Sequence, residues 1–140
     1  MIVVDTNVIS EAMRDMANGR AVQWMDAQPV ETLFLSAITV AELRFGIAVL
    51  PAGKRRDRMS ARLEQEVLAA FAGRVLPFDI DTSETYAALM ARARQKGKAI
   101  AKADGYIAAT AASRGFAVAT RDMSPFKAEG VPVIDPWGEA

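Results

Sequence analysis

Apolar positions along this chain follow two rhythms. Short unbroken runs, Ile2-Val3-Val4, Leu33-Phe34-Leu35 and Phe116-Ala117-Val118-Ala119, are rich in β-branched and aromatic residues and show no polar alternation. That suits strands buried on both faces of a parallel sheet. Between them, apolar residues recur at helical spacing among charges, as with Met59, Leu63, Val67, Ala70 and Phe71 within 54–71. Helices are predicted over Val8–Arg14, Arg20–Ala27 (closed by Pro29), a stretch running to about Leu50 and stopped by Pro51-Ala52-Gly53, and Lys54–Phe71. Two further helices are predicted, from the Asp81–Glu84 segment to about Gln95, with Gly97 as terminator, and from Asp104 to Arg114, stopped by Gly115. Thr39-Val40-Ala41-Glu42 and Asp81-Thr82-Ser83-Glu84 have the spacing of capping boxes, an N-cap acceptor followed three residues later by Glu.

Strands are predicted at Ile2–Val4, Thr32–Ser36 and Phe116–Thr120. Weaker edge segments fall at Val75-Leu76-Pro77-Phe78 and Val131-Pro132-Val133-Ile134, because proline cannot donate to a ladder. Strands separated by helices imply right-handed crossovers. The expected fold is an α/β protein, a three-layer α/β/α sandwich with a mostly parallel sheet. No repeat, low-complexity tract or linker divides the chain, so a single domain over residues 1–140 is expected.

Composition narrows the chemistry mainly by what is missing. There is no cysteine and no histidine. Disulfides, thiolate nucleophiles, Cys- or His-based zinc sites and Ser-His-Asp triads are thereby excluded. Acid–base or metal chemistry must run on carboxylates, hydroxyls, lysines and water. Seventeen Lys+Arg balance seventeen Asp+Glu, which excludes nucleic-acid binding driven by bulk charge but leaves local patches open. With no signal-type start and no apolar run approaching the ~18 residues of a membrane span, a soluble cytoplasmic protein without a membrane partner is expected.

In open parallel sheets ligands bind beyond the carboxyl ends of the strands, and four acids are assigned there by position. Asp5 follows the first strand, Glu42 lies at the start of the helix after the second, Asp104 opens the alanine-rich helix, and Asp122 follows Phe116–Thr120. Each has a plain structural alternative as a helix cap or capping-box partner. If they converge, two carboxylates ~5 Å apart repel by about 3 kcal/mol at an effective dielectric near 20. Such a group must take up protons or a hard cation. An all-oxygen donor set points to Mg²⁺ or Mn²⁺, which activates water and steadies a phosphoryl oxyanion.

The segment Ile2-Val3-Val4-Asp5-Thr6-Asn7-Val8-Ile9-Ser10 resembles the opening of PIN-domain proteins, in particular the VapC-type toxins of bacterial toxin–antitoxin pairs. Thr39–Gly46, Lys102–Ala111 and Val118–Asp122 match in order and spacing, so the likeness covers essentially the whole chain. The resemblance implies a metal-dependent endoribonuclease restrained by a small antitoxin. It also implies a tendency to homodimerise and contact with DNA only through the antitoxin. Carried over, Asp5, Glu42, Asp104 and Asp122 are the acidic quartet and the metal ligands for Mg²⁺ or Mn²⁺, with Asp5 and Asp104 foremost. Asn7 and Thr120 match supporting polar residues. RNA would be cut by activated water to give 5′-phosphate and 3′-hydroxyl ends.

Two basic concentrations are candidates for gripping RNA phosphates: Lys54-Arg55-Arg56-Asp57-Arg58, and the set Arg92, Arg94, Lys96, Lys98 and Lys102. The second is favoured because it leads into Asp104, although such runs also occur as solvated helix faces. Trp24 and Trp137 read as packing residues. Arg44 falls on a different helix face from Glu42 and is given no catalytic role. Two other functions stay open. One is a carboxylate-dependent phosphatase of the haloacid-dehalogenase type, in which Asn7 would stand where a second acid is needed. The other is a non-cleaving subunit that acts with its antitoxin as a DNA-binding repressor.

Overall fold

The computed structural model describes residues 1–14, 19–128 and 130–138. Five parallel strands form one sheet: β1 (Ile2–Val4), β2 (Leu33–Ser36), β3 (Val75–Leu76), β4 (Ala117–Ala119) and β5 (Val133–Ile134). Their order is β3-β2-β1-β4-β5, with every pairing parallel. The two proline-bearing segments form the edges, where an unpaired position is tolerated. The chain builds outward from β1 through β2 to β3, then crosses back to place β4 on the other side of β1. That reversal is the switch point at which such sheets open a crevice.

The helices are α1 (Thr6–Met13), α2 (Arg20–Ala27), α3 (Ala37–Ala48), α4 (Lys54–Arg62), α5 (Leu68–Ala70), α6 (Ile80–Gln95), α7 (Lys102–Ala112) and α8 (Ser124–Ala128). They cover both sheet faces, giving the expected three layers. Alternation along β1 divides the core. Val4 turns to one face with Val8, Ile9 and Met13 of α1 and Val40, Leu43 and Ile47 of α3. Val3 turns to the other with Leu89 of α6, Ile107 and Ala108 of α7, and Phe126 of α8. Trp24 and Trp137 are partly buried against the first core, as packing residues. Among the described residues no helix is long and apolar enough to cross a membrane.

Helix starts differ from the expected capping boxes in a way that matters. Ser36, not Thr39, caps α3: its Oγ accepts from the Thr39 N–H at 3.0 Å. The last residue of β2 therefore turns straight into the helix. Glu42 falls in the second turn and is relieved of capping. Likewise Asp79, not Asp81, caps α6, accepting from the Thr82 N–H at 2.9 Å. In both places a polar residue nearer the strand captures the free amides first.

The helix predicted over 54–71 is interrupted by a wider turn at Leu63–Val67. It coincides with two tertiary bonds on either side of Leu63. Arg62 donates to the free carbonyls of Met13 and Ala12 at the end of α1 (2.9 and 3.4 Å), and Glu64 binds Arg44 through two hydrogen bonds of 2.8 and 3.0 Å. Arg44 is thus paired with Glu64 and does not line the cleft that holds Asp5 and Glu42.

Candidate active site

Asp5 and Thr120 are the first residues past β1 and β4, and the parallel register Val4↔Ala119 sets them side by side. The Asp5 N–H closes the ladder onto the Ala119 carbonyl at 2.9 Å. The Thr120 hydroxyl donates to Asp5 Oδ2 at 2.7 Å, and the Thr6 N–H donates to Oδ1 at 2.8 Å. Asn7 Nδ2 in turn donates to Thr120 Oγ1 at 3.3 Å, while Asn7 Oδ1 accepts from the Arg121 N–H at 3.3 Å. A relay Asn7–Thr120–Asp5 therefore fixes the carboxylate from behind.

The same turn holds Glu42. Thr6 Oγ1 donates to Glu42 Oε1 at 2.7 Å, with the Thr39 hydroxyl 3.1 Å from Thr6 Oγ1. Sequence reasoning missed Thr6 and Thr39 as members of the site. The available signal was a hydroxyl directly after the Asp that ends the first strand. Asp104 is the third residue of α7, whose cap, Ala101, supplies no side-chain acceptor. Gly105 beside it lets α7 approach α6 closely, since a Cβ there would stand 2.7 Å from Met90 Sδ and 3.0 Å from Tyr86 Cε2.

These elements frame an open cleft of about 340 Å³ lined by Asp5, Thr6, Asn7, Ser10, Glu11, Glu42 and Asp104 together with Arg14 and Arg121. Burial foremost pushes the Asp5 carboxyl up from 3.8 to about 6, with the neighbouring Asp104 and Glu42 charges adding to it against the bonds from Thr120 and Thr6. Asp104 is raised first by burial and then by the charges of Asp122 and Glu42. The four predicted acids thus share one electrostatic neighbourhood. Asp122 is exposed and lies outside the lining of the cleft, with its Oδ1 accepting from Ser124 Oγ at 3.2 Å. Arg92, Arg94, Lys96, Lys98 and Lys102 are exposed at the end of α6, the following connection and the first position of α7, and none lines the cleft.

Among the described residues no three acidic side chains close around a point as a ready-made metal cage. Among the described residues none of the four is ion-paired to Lys or Arg within 4.0 Å. The nearest cations are diverted: Arg14 pairs with Glu11 at 3.5 Å, and the Arg121 guanidinium lies over the Trp137 ring at 4.1 Å. An all-oxygen set around a buried Asp5 fits a hard divalent cation, whose charge would offset the burial that foremost raises its pKa and the lesser repulsion from Asp104 and Glu42.

A parallel sheet ordered in this way, with acids from three remote segments gathered at its switch point, is the arrangement of a PIN domain. The PIN-domain family matches residues 2–128, and the chain belongs to it, in the VapC-type branch. It is 63% identical to VapC ribonuclease Y4jK of Sinorhizobium fredii over 140 residues, covering 100% of both chains. To Toxin FitB of Neisseria gonorrhoeae it is 52% identical over 137 residues, 98% of this chain and 99% of that one. Its fold matches a chain in the solved structure of FitAB bound to an IR36 DNA fragment with a TM-score of 0.94 at 49% identity, covering 100% of this chain and 98% of that one.

Proposed function

We propose that the protein is a Mg²⁺- or Mn²⁺-dependent endoribonuclease, the toxin of a toxin–antitoxin pair. One observation carries the reading above all. Asp5 is 5% exposed, is bonded from behind by Thr120, and shares its cleft with Glu42 and Asp104 without an ion pair to Lys or Arg among the described residues. A carboxylate kept in that state is costly to the fold unless it serves a ligand. The names of the relatives, a VapC ribonuclease and a toxin, agree with it.

Asp5, Glu42 and Asp104 would hold the cation, with Asp122 contributing from the outer margin. When bound, the cation supplies Lewis acidity and a water of lowered pKa. Thr120 and the Thr6 N–H keep both Asp5 oxygens oriented, so that this ligand needs no reorganisation as charge develops. Glu42 or Asp104, which also line the cleft, would accept the proton of the attacking water. The 3′ oxygen leaves, giving 5′-phosphate and 3′-hydroxyl ends. Without a histidine, the chain is poorly equipped to make the ribose 2′-hydroxyl the nucleophile.

The protein partner is an antitoxin that restrains the nuclease, with DNA contacted through that antitoxin and the toxin itself a homodimer. Expression of the chain alone should arrest growth, and Asp5→Asn or Asp104→Asn should abolish the arrest. Mapped RNA ends should carry 5′ phosphates; 2′,3′-cyclic phosphates would overturn the mechanism.

A further inference from the structure

Two depressions continue from the carboxylate cleft along α1 toward α4, and Arg14 lines all three. The first is an apolar hollow of about 190 Å³, walled by Met13, Leu43, Ile47, Leu50 and Met59 and bounded on the cleft side by Ser10 and Glu42. Beyond it lies a groove of about 510 Å³ lined, among the described residues, by Arg14, Arg55, Arg58 and Arg62 over Met13 and Met59, with no acid among those. We infer that this path is a substrate subsite, with one nucleotide of the RNA in the apolar hollow and its flanking phosphates on Arg14, Arg55 and Arg58.

The inference rests on the ribonuclease reading above and adds where the RNA runs. A cleft of carboxylates repels a polyanion, so the strand must be held by cations placed outside it but continuous with it. Net charge gives no general attraction, the chain being balanced at seventeen of each sign. The grip must therefore be local. Arg62 is committed to the α1 carbonyls. Arg55 and Arg58 are exposed and have no ion pair or hydrogen bond among the described residues, so they stand free for phosphate. The Glu11–Arg14 pair, at 3.5 Å and with Arg14 65% exposed, is of the weak, solvated kind that a phosphate can displace. The apolar hollow between cleft and groove suits the face of a base, whose stacking and burial are sequence-tolerant. The rival set Arg92, Arg94, Lys96, Lys98 and Lys102 has no lining position in any of the three depressions.

The test uses the full chain carrying Asp104→Asn, so that RNA stays intact, and follows binding of a labelled single-stranded RNA by anisotropy across a salt series. Adding R55Q/R58Q should weaken binding at least ~10-fold at about 50 mM salt. It should also lower the slope of log K against log salt by about 1.4, two single-strand phosphate contacts. R92Q/R94Q, matched in charge removed, should change both far less. Equal effects of the two pairs, or unchanged affinity and slope in R55Q/R58Q, overturn the subsite. So does retained RNA binding with loss of the cognate antitoxin, which would assign the groove to an acidic peptide. Failure of the unmodified chain to cleave RNA with Mg²⁺ or Mn²⁺ would instead sink the ribonuclease reading, so the two failures are distinguishable.

Discussion

Thr120 carries more of the site than its neutral hydroxyl suggests. It is fully buried, donates to Asp5 and accepts from Asn7. Thr120→Val keeps the shape and removes the donor, so the Asp5 carboxyl, already at about 6, should rise further. RNA cleavage at pH 7 should fall about 10-fold, as expected for loss of one charge-assisted bond, with the acidic limb of the pH–rate profile moved to higher pH. Thr120→Ser should restore both. The strain at Asp5 can also be read from stability. A carboxyl with a folded pKa above its unfolded value favours the fold while protonated, an advantage present below about pH 4 and lost as pH rises through about 6. In metal-free protein at pH 7.5, Asp5→Asn should therefore be more stable than the parent by about 3 kcal/mol. The gap should close near pH 4 in denaturant melts.

At the scale of elements, the core strands and most helices were legible because their apolar patterns are strong: β1 and α2 match their predicted bounds of Ile2–Val4 and Arg20–Ala27. Helix starts were less legible. Two capping-box patterns competed with Ser36 and Asp79, and which acceptor reaches the free amides depends on where the preceding strand ends. Of the acids, Asp5 could be placed directly after a strand, whereas Glu42 and Asp104 could be placed only near helix starts. Their clamps were not legible, since the Thr6–Glu42 and Thr120–Asp5 bonds join residues 36 and 115 apart in sequence. Gly105 marks where helix packing and chemistry meet. Gly105→Val would drive a side chain into Met90 and Tyr86, costing about 1–3 kcal/mol by overpacking. Because Asp104 is its neighbour, cleavage should fall at temperatures where circular dichroism still reports a folded protein.

For the whole molecule, ligand and stability are linked. Cation binding at the cleft should raise the melting temperature of the parent, by about 2.7 kcal/mol of stability at a hundredfold excess over Kd. Chelation should reverse the gain. Asp5→Asn and Asp104→Asn should show almost none of it, and an equal rise in those variants would place the bound ion elsewhere.

The register that sets Thr120 beside Asp5 also has a consequence in time. One half of the clamp is made by Asp5 and the other by Thr120, 115 residues later, with Asp104 between. No nascent fragment that ends before β4 can assemble the cleft. Partial products of translation therefore carry Asp5 without the hydroxyl that orients it.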